Sequence, residues 1–242
     1  MTRIYFPDTV PEHGICEIPA AQAHHIVHVL RLGKGDPVTL FDGRNTEYSA
    51  VISDCARGNV RVKVQGRNPG NRESPLQVTL VQAVSSGERM DFTVQKAVEL
   101  GIAAVQPVLS ERCVVRLSGE RAAKRVAHWQ AVAVAACEQC GRSQVPLVHG
   151  LLSYASWLGQ ASSNTATRIL LAPGGETGLK GMNRPAGSIL LLAGPEGGLT
   201  AAELDSAHRA GFIALKLGPR TLRTETAALA ALAAMQVLWG DF

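Results

Sequence analysis

The chain has 242 residues, 46% hydrophobic and 18% charged, which excludes wholesale disorder and suffices for one large domain or two modest ones. Lys and Arg number 24 against 20 Asp and Glu, a net charge of +4 that permits nucleic-acid binding without requiring it. The apolar runs fall short of the roughly 20 residues that span a bilayer, and the first residues carry no signal-peptide core, so a cytoplasmic location without a membrane partner is expected.

Residues 1–70 carry short strand-like runs at 37–41, 47–52 and 59–64, the last alternating apolar and polar with period two. Asp42-Gly43 marks a tight turn between the first two, and residues 20–30 suit one short helix. Several short strands in about 70 residues predict a small β-barrel. Residues 67–75, with two prolines, a glycine and polar neighbours, read as a linker without a regular element. From residue 74 the rhythm changes. A strand at 76–84 precedes a helix at 90–100 closed by Gly101, a strand at 103–109 and a long helix at 119–140. Strands at 168–172, 188–193 and 212–217 then alternate with helices at 200–210 and 225–239. This alternation predicts an α/β domain with a mainly parallel sheet. The last helix has almost no polar face, which points to burial in a core or an interface.

Two strand ends carry candidate chemistry. After the apolar run 189–193, a tight loop holds Gly194, Pro195, Glu196, Gly197 and Gly198, and Thr200 with Glu203 makes a capping box for the next helix. Ligands of parallel sheets bind at such carboxyl ends, where glycines let backbone approach a ligand closely; an ordinary strand-to-helix turn is the competing reading. The second loop runs Leu217-Gly-Pro-Arg-Thr-Leu-Arg-Thr-Glu-Thr226. Arg220 and Arg223 suit a carboxylate, a phosphate or a developing anion, whereas Glu225 also suits the first turn of a helix on electrostatic grounds alone.

Dinucleotide, Walker, zincin and nucleophile-elbow motifs are missing from the sequence. The five cysteines read as reduced thiols, and Cys137 and Cys140, late in an apolar helix, as structural thiols rather than metal ligands. His24, His25 and His28 have no ligand-type neighbour at useful spacing, so no metal is expected. The basic run of Arg112, Arg116, Arg121, Lys124 and Arg125 reads equally as a solvated helix face or an RNA phosphate patch.

Taken together, Leu192-Ala-Gly-Pro-Glu-Gly-Gly-Leu-Thr200 and Leu217-Gly-Pro-Arg-Thr-Leu-Arg-Thr-Glu-Thr-Ala227 resemble the bacterial 16S rRNA uridine-N3 methyltransferases of the ribosomal small subunit methyltransferase E family. Arg72-Glu-Ser-Pro75, Gln95 to Gly101, Ser110 to Cys113, Ala136 to Arg142 and His25 to Gly33 extend the resemblance over nearly the whole chain. The resemblance implies a SPOUT-type α/β fold: a PUA-like β-barrel at 1–70 that binds RNA, then a methyltransferase domain at 74–242. It also implies a parallel sheet with a C-terminal deep trefoil knot and a homodimer. S-adenosylmethionine is the implied cofactor, and 16S rRNA in the 30S subunit the implied partner. The implied cofactor loops are Leu171, Ala172, Pro173 and Gly174; then Gly194, Pro195, Glu196, Gly197 and Gly198; then Leu217, Gly218, Leu222, Arg223 and Thr224. Arg223, Arg220 and Glu196 are the expected catalytic residues, with Arg223 stabilising the uridine anion and Glu196 or Glu225 accepting a proton or holding an arginine. Arg3 and Arg31 join the basic run as expected RNA contacts. A non-catalytic rRNA assembly factor and a tRNA methyltransferase of the same class are the competing functions.

Overall fold

The structure is a computed structural model that describes residues 2–56, 59–161, 166–175 and 177–242. It divides into two compact units. One runs to Glu73 and takes in Cys137–Val145; the other comprises Ser74–Ala136 and Pro146–Phe242. The inclusion of Cys137–Val145, the end of a long helix and the loop after it, has no counterpart in a contiguous division near residue 70.

The first unit is built on β1 (Thr2–Tyr5), β2 (Gly14–Ile18), α1 (Ala20–His24), β3 (Pro37–Phe41), β4 (Thr46–Ala56) and β5 (Asn59–Pro69). One five-stranded sheet has the order β1-β3-β4-β5-β2, with β1 parallel to β3 and the other pairs antiparallel. Period-two patterning sets its register: Val60, Val62 and Val64 of β5 point inward, as do Tyr48, Ala50 and Ile52 of β4, and all are buried. A π-helical turn at His25–Val29 follows α1 and seats Ile26 in this core. The sequence reading is corrected at 67–69. These residues continue β5 and pair Arg67 with Tyr48, Asn68 with Glu47 and Pro69 with Thr46. Proline is tolerated there because, among the described residues, β2 pairs with β5 only from Val60 to Val64, which leaves this end of β5 an edge. The short strands β1 and β2 are not foreseen from the sequence.

The second unit holds β6 (Val78–Ala83), α2 (Glu88–Glu99), β7 (Ala104–Leu109), α3 (Gly119–Cys140), β8 (Leu147–Val148), β9 (Leu152–Ser153), α4 (Tyr154–Ala161), β10 (Thr167–Leu171), β11 (Ile189–Ala193), α5 (Ala201–Arg209), β12 (Ile213–Leu215) and α6 (Thr224–Trp239). The last turn of α3 belongs with the first unit. Its sheet has the order β12-β10-β11-β6-β7-β8, with β9 also on β7, and every pair is parallel. All five residues of β11 are buried, as a central parallel strand covered on both faces requires. The segments β8, β9 and α4 are too short or too weakly patterned to stand out in the sequence. Among the described residues, no helix is long and apolar enough to cross a membrane.

Candidate functional site

The carboxyl ends of β10, β11 and β12 open onto a cavity of about 660 Å³, within the roughly 300–1,000 Å³ range of small-molecule sites. Every residue of the three expected loops lines it: Leu171, Ala172, Pro173 and Gly174; Gly194, Pro195, Glu196, Gly197 and Gly198; and Leu217, Gly218, Leu222, Arg223 and Thr224. Arg220, Thr221 and Glu225 of the 217–227 motif and Leu199 of the 192–200 motif also line the cavity, with Arg89, His208 and Lys216, which the motifs did not single out. Arg220 and Arg223 are exposed.

The loops owe their shape to identifiable contacts. After β11 the chain turns through Gly198 at φ 68°, a conformation that favours glycine. Thr200 then caps α5 by accepting from the Glu203 N–H, while the Glu203 carboxylate accepts from the Thr200 N–H at 2.9 Å. Glu203 also accepts from the Glu111 N–H at 2.8 Å. Gly197 serves packing: a Cβ there would meet the Arg112 Cβ at 3.2 Å, and Arg112 donates to the Gly197 carbonyl at 3.1 Å. Gly174 differs, since a Cβ built on it meets nothing within 4 Å. Among the described residues nothing crowds that position, and bare backbone facing the cavity leaves room for a ligand to approach closely.

Glu196 has one carboxylate oxygen engaged three times. Its Oε1 accepts from the Ser86 N–H at 2.8 Å, the Ser86 hydroxyl at 2.8 Å and Arg89 at 3.0 Å. Burial alone raises its pKa, but these hydrogen bonds outweigh it and hold the carboxyl below its ordinary value. Glu196 thus holds an arginine, one of the two roles expected for it, and pins the loop. Its partner Arg89 lies 107 positions away in the chain, which no local motif can reveal. A buried chain of hydrogen bonds closes the other side. Thr224 donates to the Gly194 carbonyl at 2.6 Å and accepts from Gln82 at 2.9 Å.

The expected RNA contacts separate. Arg3 is the clear correction. Its side chain is 9% exposed and pairs with Glu47 at 2.9 Å, donates to the Arg142 carbonyl and Ser143 Oγ, and lies over the Phe41 ring. It is an internal pin of the first unit and is not presented to a ligand. Arg31 is exposed, with φ 54°. Arg112, Arg116, Arg121 and Lys124 are exposed and Arg125 is half-buried. Arg116 bonds back to the Glu111 carbonyl at 2.7 Å, Lys124 pairs with Glu120 at 2.8 Å, and Arg125 approaches Asp91 at 3.8 Å. Cys137 is buried, and burial pushes its thiol up to about 12, which makes it inert. Among the described residues, no group of three or more His, Cys, Asp or Glu could hold a metal ion.

The RNA methyltransferase domain family matches residues 72–236, and the RNA methyltransferase PUA domain family matches residues 18–65. A ribosomal RNA small subunit methyltransferase E from Bacillus subtilis is 32% identical, over 96% of this chain and 95% of its own. The chain belongs to the ribosomal RNA small subunit methyltransferase E family. A crystal structure of the family member from Neisseria gonorrhoeae bound to S-adenosylmethionine is 43% identical and covers 100% of this chain and 99% of its own, with a TM-score of 0.94. A Legionella pneumophila methyltransferase with bound S-adenosylmethionine is 36% identical, with the same coverage and TM-score. The fold is therefore the SPOUT-type α/β fold of this family, preceded by a PUA-like domain. The cavity size, the three backbone-rich loops and the open face at Gly174 fit S-adenosylmethionine.

Proposed function

We propose that this chain, an rRNA methyltransferase by family, methylates N3 of a specific uridine in 16S rRNA. The observation that carries this reading is the convergence of three loops on one cavity, with the exposed Arg220 and Arg223 on its wall. S-adenosylmethionine, held by backbone of the loops at Gly174, Gly194 to Gly198 and Leu217 to Thr224, supplies an electrophilic methyl group on a sulfonium.

The chain's own task is to orient the base and stabilise charge. Uridine N3 is a poor nucleophile until it loses its proton, and the resulting anion spreads onto O2 and O4. A guanidinium beside either oxygen favours that anion over neutral uridine, which is the differential binding that catalysis requires. Arg223 stands at the start of α6, exposed on the cavity wall, and takes this role; Arg220 is the neighbouring cation. Glu196, paired with Arg89, keeps the loop in place.

The same reading assigns residues 1–70 to rRNA binding, with Arg31 and the exposed basic side chains from Arg112 to Lys124 as phosphate contacts. The substrate is 16S rRNA, free or in the 30S subunit, and the cytoplasm the place of action. A homodimer is supported by exposed apolar side chains at the chain's end, Val237 in α6 (65% exposed) and Phe242 just beyond it (64%). The same reading includes a C-terminal trefoil knot, as the resemblance to the SPOUT class implies.

Incubation of 30S subunits, free 16S rRNA and tRNA, each lacking the modification, with radiolabelled S-adenosylmethionine tests the reading. Label should enter 16S rRNA, free or in 30S particles, as 3-methyluridine. Label in tRNA alone, or in no RNA, would overturn it.

A further inference from the structure

We propose that Glu225 binds the α-ammonium group of S-adenosylmethionine. The proposal rests on the reading of the cavity as the cofactor site. Glu225 lies in the first turn of α6 and lines the cavity. Its Oε2 is buried and has no hydrogen-bond partner among the described residues, and none of the ion pairs there involves it.

A buried polar atom without a partner is costly, and native structures keep few of them. An acidic residue in a first helical turn interacts favourably with the helix dipole, but that leaves the hydrogen-bonding capacity of Oε2 unused. The atom is therefore ready for a donor that arrives with a ligand. Among the described residues two carboxylates line the cavity, and the Oε1 of the other, Glu196, is taken by Ser86 and Arg89. The remaining charged groups on the wall, Arg89, Lys216, Arg220 and Arg223, are cations. Among the described residues, a ligand with a cationic end thus meets in Glu225 a buried carboxylate oxygen that no protein group engages. S-adenosylmethionine carries such an end: its ammonium has three donors, and a charge-assisted bond to a carboxylate is about twice as strong as a neutral one. Its adenine amine and ribose hydroxyls are neutral donors and call for no carboxylate.

Isothermal titration of the full chain and of Glu225→Gln separates these possibilities. The probes are S-adenosylmethionine, its 2-oxo analogue without the ammonium, and 5′-methylthioadenosine, which lacks the whole amino-acid end. Glu225→Gln keeps the shape of the side chain and removes its charge. S-adenosylmethionine should bind this variant on the order of 10- to 100-fold more weakly, with methylthioadenosine unchanged. The 2-oxo analogue should show a comparable loss against the unmodified chain, which tests the proposal even where the variant folds poorly, and no further loss against Glu225→Gln. Equal weakening of S-adenosylmethionine and methylthioadenosine would assign Glu225 to the nucleoside or to loop structure and overturn the proposal. So would unchanged S-adenosylmethionine affinity. If the unmodified chain binds none of the three, the cofactor reading of the cavity itself falls.

Discussion

Thr224 and Gly194 are joined by a 2.6 Å hydrogen bond from the threonine hydroxyl to the glycine carbonyl, which ties the start of α6 to the end of β11. Because Gln82 donates to the same hydroxyl at 2.9 Å, one buried side chain holds two cavity-lining loops against β6. Thr224→Val keeps the volume and removes both bonds. It should destabilise the second unit by about 1–3 kcal/mol, the cost of leaving buried polar groups unsatisfied, and weaken S-adenosylmethionine binding. Thermal unfolding and calorimetry together check this; unchanged values for both would show the link to be idle.

Arg223 faces the cavity as an exposed cation, so its removal should act on chemistry more than on folding. Arg223→Ala should slow methyl transfer by on the order of 10²–10³, the loss typical of one electrostatic stabiliser, with little change in cofactor affinity. Raising the pH should restore part of the rate, because more N3 is already ionised. A collapse of cofactor affinity without pH rescue would make Arg223 a loop residue.

At Gly197 the constraint comes from Arg112, whose Cβ lies 3.2 Å from where a new Cβ would stand. Gly197→Val should therefore cost about 1–3 kcal/mol through overpacking and weaken cofactor binding through displacement of the loop. Arg112→Gly, which removes that Cβ, should recover part of the loss in the same chain. Strict additivity of the two changes would place the clash elsewhere.

Glu196 gives a pH signature whose sign is fixed by its lowered folded pKa. Its stabilising contribution is full above the ordinary carboxylate range and is lost as pH falls through the lower folded value. Glu196→Gln should thus reduce the unfolding temperature at neutral pH, and the gap from the unmodified chain should close in acid. A gap independent of pH would mean that Ser86 and Arg89 do not discriminate the ionised form.

Arg3 should behave as a structural residue. Its pair with Glu47 is largely buried, and breaking a buried pair from one side costs about 3–5 kcal/mol. Arg3→Ala should show that loss in the unfolding of the first unit. Unchanged stability with reduced rRNA affinity would return Arg3 to the RNA contacts.

The contrast between Arg3 and the glycine loops shows what the sequence discloses. The strand β11, the turn at Gly198 and the Thr200–Glu203 cap are local devices, each encoded within about a dozen residues, so strand, loop and helix could be placed from pattern alone. The partners of Arg3 are not local: Arg142 and Ser143 lie 139 and 140 positions away, and an arginine near the N-terminus looks the same in sequence whether it meets RNA or Glu47. The pinning of Glu196 by Arg89 was hidden for the same reason. Glu225 was visible as a helix-start residue, but its unpartnered oxygen is a property of packing.

The central claim, methylation of uridine N3 in 16S rRNA, is tested most directly by mass mapping of nucleosides in rRNA from cells with the gene deleted and then restored. The account predicts that one 3-methyluridine disappears from 16S rRNA on deletion and returns with the intact gene, but not with Arg223→Ala at normal expression. An unchanged 16S map, with the modification lost from another RNA, would contradict it.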